Sequence, residues 1–258
     1  MKPPLLFPRP SLPLAALVFL TATLAGAADK KDSAWRELTA IDGVKSWRLA
    51  DPKAEGVADW RYVGNIRLAP KNHRLLQETG GRGGIIMNGK TGKTKNIVSR
   101  KEHGDVEAHI EFLIAKKSNS GVYFMGRYEI QVLDSFGKER IAEHDCGAIY
   151  QRWDPKRGKG KEGYEGHVPR VNASRKHGEW QSFDMIFRAP QFDKNGKKTR
   201  SAEFVKVVHN GTVIHENVKL SGPTRGATFT DEKATGPFML QGDHGPVAYR
   251  NIRFRPLK

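Results

Sequence analysis

The chain has 258 residues, 38% of them hydrophobic, a single cysteine and a formal net charge of +16. One cysteine excludes an intrachain disulfide, and a core of this size needs no such staple. The basic residues are scattered, with runs only at Lys156 to Lys161 (KRGKGK) and Lys194 to Arg200 (KNGKKTR); neither sits on a helix with interleaved aromatics, so the charge reads as solvated loop charge and specific nucleic-acid binding is excluded.

Residues 1–27 read as a secretory signal peptide. Lys2 and Arg9 give a positive start, Leu12 to Leu24 is a short apolar run, and Ala25-Gly26-Ala27 is a small-residue cleavage site. The run is shorter than the roughly 20 apolar residues of a membrane span, and Ala28 stands where a lipoprotein would carry cysteine. The expectation is an exported chain, periplasmic or extracellular, with no transmembrane segment and one domain over residues 28–258. Its oligomeric state is open.

Strands with period-two alternation then recur between turn signals, and amphipathic helical periodicity is nearly absent. The predicted strands are Trp60 to Ile66, Gly84 to Met87, Asn96 to Val98, Asp105 to Ile114, Gly121 to Met125, Tyr128 to Leu133, Gln181 to Arg188, Ala202 to His209, Thr212 to Asn217, Gly236 to Leu240 and Val247 to Phe254. In DVEAHIEFLI, Val106, Ala108, Ile110, Phe112 and Ile114 share one face, which leaves His109 on the wet face as a surface residue and not a ligand. Asn210-Gly211 between two β-branched runs predicts a type I′ hairpin. Many antiparallel strands without heptads or a βαβ rhythm indicate an all-β sandwich of two sheets.

About forty residues from Gly137 to Lys176 break this spacing. They hold Glu143, His144, Asp145, Tyr150, Arg152, Trp153, Tyr164 and His167, too much aromatic and titratable content for an inert linker, and are expected to cover a site. Cys146 lies among them without any local nucleophile signature and is expected to be inert. The sequons at Asn172 and Asn210 fit loops of a secreted protein.

Two constellations carry candidate chemistry. In RYEIQVLDS, Tyr128, Ile130 and Val132 alternate onto one face, while Arg127, Glu129 and Gln131 share the other with Leu133, and Asp134 follows at the strand end. On alternation alone the simpler reading is a solvated Arg127–Glu129 salt bridge, worth little. Gln241-Gly242-Asp243-His244-Gly245 places Asp243 and His244 on a glycine-flanked turn, which serves either a site or turn closure. No HExxH, CxxC or calcium-loop motif occurs, and a divalent cation such as Ca²⁺, held by a His, Asp and Glu set, stays open. Tyr123, Trp153 and Tyr164 are the candidate stacking planes for a pyranose, while Trp35, Trp47, Trp60 and Trp180 are expected in the core or at its rim.

Four stretches together resemble the 3-keto-disaccharide hydrolase family: NIVSRKEHGDVEAHIEF (from Asn96), NSGVYFMGRYEIQVLDS (from Asn119), VNASRKHGEWQSFDMIFRAPQFD (from Val171) and GPFMLQGDHGPVAYRNIRFRPL (from Gly236). The resemblance runs from about Trp35 to the C-terminus, with a segment between Tyr150 and Val171 longer and more basic than is typical. It implies a concanavalin A-like jelly roll whose concave sheet makes a trough, and it turns the Arg127, Glu129 and Gln131 face into a site.

The resemblance also implies cleavage of a glycosidic bond beside a 3-keto group. Such a carbonyl acidifies the C2 hydrogen, so one base can start an elimination and the paired carboxylates of ordinary glycoside hydrolysis are not required. On residue chemistry the base is Glu129 or His144, the oxyanion partner Arg127 or a bound cation, and the acid Asp134 or His244. Gln131, Tyr123, Asp145, Tyr150, Trp153, Gln241 and Asp243 are the expected carbohydrate contacts. Two other classes compete: a non-catalytic carbohydrate-binding module using the same trough, and a surface protein that binds acidic polymers through Lys156 to Lys161.

Overall fold

Alternation in the sequence becomes two antiparallel sheets. The structure, a computed structural model, describes residues 35–39, 43–51, 53 and 58–257, so the expected leader and its cleavage site lie outside the described residues. The strands run in order as β1 (Arg36–Glu37), β2 (Trp47–Leu49), β3 (Arg61–Ala69), β4 (Asn72–Met87), β5 (Ile97–His103), β6 (Val106–Ile114), β7 (Asn119–Phe124), β8 (Tyr128–Leu133), β9 (Arg152–Trp153), β10 (Gly163–Tyr164), β11 (Gln181–Arg188), β12 (Gln191–Phe192), β13 (Lys198–Arg200), β14 (Ala202–His209), β15 (Thr212–Leu220), β16 (Gly236–Leu240) and β17 (Val247–Pro256).

One large sheet has the order β15-β14-β11-β6-β17-β4-β3, with β1 added against β17, and a five-stranded sheet has the order β2-β5-β16-β7-β8. This is the expected all-β jelly-roll sandwich. Aromatic side chains fill the space between the sheets. Phe124 of β7 lies 4.9 Å from Phe187 of β11, 5.2 Å from Phe204 of β14 and 5.1 Å from Phe238 of β16, ring centroid to ring centroid. Tyr128, Ile130 and Val132 of β8 belong to this same core. No described helix is long and apolar enough to cross a membrane.

The predicted strands are present, with differences at their ends. The largest is β4, expected only from Gly84 but starting at Asn72. Its Gly80-Gly81 and Gly83-Gly84 pairs resemble a turn; instead they carry register shifts against β3, where a Cβ on Gly64 would come within 2.1 Å of the Gly81 backbone. Glycine there permits close strand approach without ending the ladder. The Asn210-Gly211 turn joins β14 to β15 as expected, with φ of 49° and 83°. His109 is partnered on the outer face, its Nδ1 2.6 Å from Asp184 Oδ1, and that carboxylate raises its pKa.

The long segment after β8 is built onto the sheet. Gln131 N donates to Ala148 O at 2.9 Å, Gly147 N to Gln131 O at 2.8 Å and Tyr150 N to Glu129 O at 3.1 Å. Residues 147–150 therefore satisfy the free edge of β8. Farther along, β9 and β10 form a small hairpin. Cys146 is buried, and burial pushes its thiol up to about 12, consistent with an inert side chain.

Candidate active site

The site begins at the β7–β8 turn. Met125 and Gly126 have positive φ (57° and 64°), and Arg127 N closes the turn onto Phe124 O at 2.9 Å. A buried histidine holds it: His103 Nε2 accepts from Met125 N at 3.2 Å while the ring stacks on Phe238 with centroids 4.1 Å apart. The turn fixes the register, with Tyr123 opposite Glu129 and Gly121 opposite Gln131. Since Tyr128, Ile130 and Val132 occupy the core, the two-residue period sends Glu129 and Gln131 to the outer face of the five-stranded sheet.

That outer face is not an exposed wall. Glu129 and Gln131 are each 3% exposed and Tyr123 1%. Burial pushes the Glu129 carboxyl up to about 8, against a smaller opposing effect of the neighbouring Tyr123 side chain. Tyr123 is held well above the ordinary phenol range, first by burial and then by the charge of Glu129. Tyr150 is raised too, chiefly by burial and next by Glu129. The opposite strand leaves space for the carboxyl because residue 121 is glycine: a Cβ there would stand 2.2 Å from Glu129 Oε1.

Around this carboxyl the outer face is rich in amide acceptors. Gln131 Nε2 donates to His144 O at 3.2 Å, which leaves its Oε1 buried and without a partner. Gln241 Oε1 and Asn119 Oδ1 are in the same condition. Gln241 N donates to Gly121 O at 3.0 Å, so these amides sit on three neighbouring strands or their immediate extensions. Unpaired buried acceptors are costly unless a ligand supplies donors, and sugar hydroxyls are such donors.

A loop between β15 and β16 crosses the site. Thr224 N donates to Arg127 O at 2.9 Å, and Thr224 Oγ1 accepts from Glu129 N at 3.1 Å. Thr228 N bonds Gly126 O at 3.1 Å, and Gly226 comes so near Tyr123 that a Cβ on it would stand 2.9 Å from the hydroxyl oxygen. Arg127 is the latch of this loop. Its Nε and Nη2 donate to Asp231 O and Oδ1 at 2.5 and 2.7 Å, its Nη1 donates to Met125 O at 2.7 Å, and its guanidinium lies 4.9 Å from the Phe229 ring centroid.

Several expected site residues thus take other places. Arg127 holds the loop, not an oxyanion. Asp134 falls on the opposite face from Glu129 by strand alternation, where it accepts from Lys117 N at 2.8 Å and meets His177 Nδ1 at 3.4 Å. Asp145 is buried and accepts from Ser135 Oγ, Lys138 Nζ and Ala142 N, so it ties its own loop. His144 is exposed and presents only its carbonyl to Gln131. His244 is exposed and pairs with Asp243 at 2.6 Å. Asp243 is nonetheless near enough for its charge to act on Tyr123.

Trp153 has Arg225 stacked over it at 3.7 Å, and Tyr164 has Arg157 at 4.3 Å and Arg152 at 5.1 Å, so cations already cover these aromatic faces. Two cavities are lined by residues from this part of the fold. One, of about 240 Å³, is lined by Tyr150, Arg152, Glu165, Ser221 and Thr224 among others; a second, of about 570 Å³, includes Ala50, Asp59, Asn96 and Asp243. Among the described residues no three His, Cys, Asp or Glu side chains come together as a metal cluster. Sequence reasoning missed Gly121, Thr224 and Gly226. The loop carrying the last two has no alternation, and Gly121 looked like any strand residue.

A family model described as a 3-keto-alpha-glucoside-1,2-lyase-like domain matches residues 35–255. Among solved structures, a candidate glycosyl hydrolase from Parabacteroides distasonis ATCC 8503 superposes with a TM-score of 0.61 at 26% identity, over 87% of this chain and 84% of that one. A second candidate glycosyl hydrolase of the same organism gives 0.53 at 16% identity, over 89% and 97%. No curated protein matches the sequence.

Proposed function

The chain belongs to the 3-keto-alpha-glucoside-1,2-lyase-like family and is a carbohydrate-active enzyme, and from that premise we propose that it cleaves the glycosidic bond of 3-keto-glycosides by elimination, with Glu129 as the base. The observation that carries this reading is the Glu129 carboxyl itself: buried, opposite Tyr123 in the ladder and shifted to about 8. A general base with a pKa near the working pH combines a usable ionised fraction with strong proton affinity. Burial with no cation beside it raises the carboxyl, and groups shifted in this way cluster at functional sites.

In the proposed reaction the Glu129 carboxylate takes the C2 proton of the ring that carries the C3 ketone. The C2–H electrons form the enolate, whose collapse to the enone breaks the C1–O bond. The departing oxygen takes a proton from Tyr150, which is half-buried and feels the Glu129 charge. Tyr123 orients the carboxyl, and the free amide oxygens of Gln131 and Gln241 accept ring hydroxyls. Water then adds to C1 of the enone while C2 regains a proton, giving net hydrolysis; release of the enone before that addition is the lyase outcome. The family description, a lyase acting across C1 and C2 of a 3-ketoglucoside, supports this route.

The deciding experiment compares methyl 3-keto-α-glucoside with methyl α-glucoside. Cleavage of the keto compound alone, with a primary isotope effect from deuterium at C2, is expected. Equal cleavage of both removes the elimination route, and sugar binding without any turnover makes the protein a carbohydrate-binding module. We also propose export through residues 1–27; sequencing the N-terminus of the native protein should find Ala28, and an intact Met1 in mature protein overturns it.

A further inference from the structure

Beside Tyr150 lies the cavity of about 240 Å³ whose wall includes Arg152, Glu165, Leu220, Ser221 and Thr224. We propose that it is a second sugar subsite, holding the neutral, hydroxyl-bearing ring that leaves when the bond is cleaved; the proposal rests on the catalytic reading of Glu129 and extends it to a disaccharide-sized substrate. Two residues tie the cavity to the reacting centre. Thr224 accepts the Glu129 backbone N–H, and Tyr150 donates its own N–H to the Glu129 carbonyl. The Glu129 charge also reaches the Tyr150 hydroxyl, and that side chain lines the cavity.

The polar rim has the chemistry for a vicinal diol. Arg152 Nη1 and the Glu165 carboxylate both hydrogen-bond Ser221 Oγ, and Arg152 stands 3.6 Å from Glu165. Arg152 Nε is buried with no partner. A guanidinium beside a carboxylate offers a donor and an acceptor at once, as adjacent sugar hydroxyls require, since each hydroxyl both donates and accepts. The wall carries both signs, Arg152 and Lys219 with Glu165, so it presents donors and an acceptor together. Leu220 and the Tyr150 ring supply apolar wall for the C–H face of a pyranose. The volume suits one such ring.

Arg152→Met and Glu165→Gln test the subsite through a ratio. The wild type and both variants are assayed on 3-keto-maltose and on methyl 3-keto-α-glucoside, which lacks the second ring. A fall of about tenfold or more in the disaccharide-to-methyl-glycoside ratio of kcat/KM is expected for each variant, the size of a lost charge-assisted hydrogen bond. An unchanged ratio, whether both substrates suffer equally or neither does, overturns the subsite. If the wild type cleaves neither substrate, the catalytic reading fails by itself, and the cavity is then read by NMR titration with glucose. Shifts of the Ser221 and Gly222 amides that vanish in Arg152→Met support a sugar site there. Absence of such shifts, or shifts unaffected by the substitution, overturns it.

Discussion

Tyr123 and Glu129 face each other in register across the β7–β8 ladder, both buried. With the folded pKa of Glu129 raised to about 8 from 4.5, the folded state holds a proton that the unfolded state releases, so stability falls as pH rises from 4.5 to 8. Glu129→Gln removes this cost. It is expected to abolish turnover, by a factor on the order of 10²–10⁴, and to stabilise the fold at pH 7 by up to about 3 kcal/mol, at 1.36 kcal/mol per unit. Thermal melts of both proteins from pH 4 to 8 should show a gap that widens with pH; a constant gap, or a destabilised variant, removes the raised pKa from the account. In the wild type, kcat/KM should rise with pH through about 8.

Gly121→Ala probes the same pair from the other strand. The added methyl meets Glu129 Oε1 at 2.2 Å and the Tyr123 ring at 2.9 Å, so the carboxyl must move while the backbone ladder stays. Activity should drop by roughly 10²-fold, the cost of a misplaced catalytic group, with little change in the denaturation midpoint. Full activity would show that the carboxyl position does not matter to the reaction.

How much of this was legible beforehand follows from period-two geometry. Alternation in RYEIQVLDS was enough to place Glu129 and Gln131 away from the core, because Tyr128, Ile130 and Val132 have one face to fill. It could not say that the outer face would itself be covered, since the covering comes from residues 221–235, almost a hundred positions away. Arg127 shows the limit: its parity matches Glu129, yet a long side chain at a strand end turns toward the strongest local acceptors, here Asp231 and Met125 O. Asp134 was misjudged by the opposite cause, as strand parity at the end of β8 already sends it to the other side.

The Arg127–Asp231 latch should matter through the loop it holds. Arg127→Met removes the three bonds to Asp231 and Met125 O and frees Thr224 and Gly226 from their places over Glu129 and Tyr123. A stability loss of about 1.5–3 kcal/mol is expected from lost charged hydrogen bonds, along with a raised KM. Asp231→Asn should weaken the same latch less, and the double variant should be less than additive, with a coupling energy above about 0.5 kcal/mol. Additive effects would mean that the two side chains act independently.

Three buried histidines set the acid limit of the fold. His103 is lowered to about 4, chiefly by burial against the opposing effect of the Gly104 carbonyl, and His215 to about 4 by burial, with His167 and Arg170 adding to the shift. His209 falls to about 3 through burial and Arg175. Each is neutral in the folded state and takes up a proton near pH 6.5 when unfolded, so the unfolded chain binds more protons between 6.5 and the folded pKa. Stability is thus fully present above 6.5 and is lost as pH falls toward 3 to 4. His103 has the most specific consequence, because its unprotonated Nε2 accepts from Met125 N at the turn that sets the Tyr123–Glu129 register. The contribution of His103 to the acid loss is about 3 kcal/mol at most. His103→Gln, whose side-chain oxygen can still accept that bond, should flatten the pH dependence between 4 and 6.5 relative to wild type in urea denaturation; an unchanged slope would assign the acid loss to other groups.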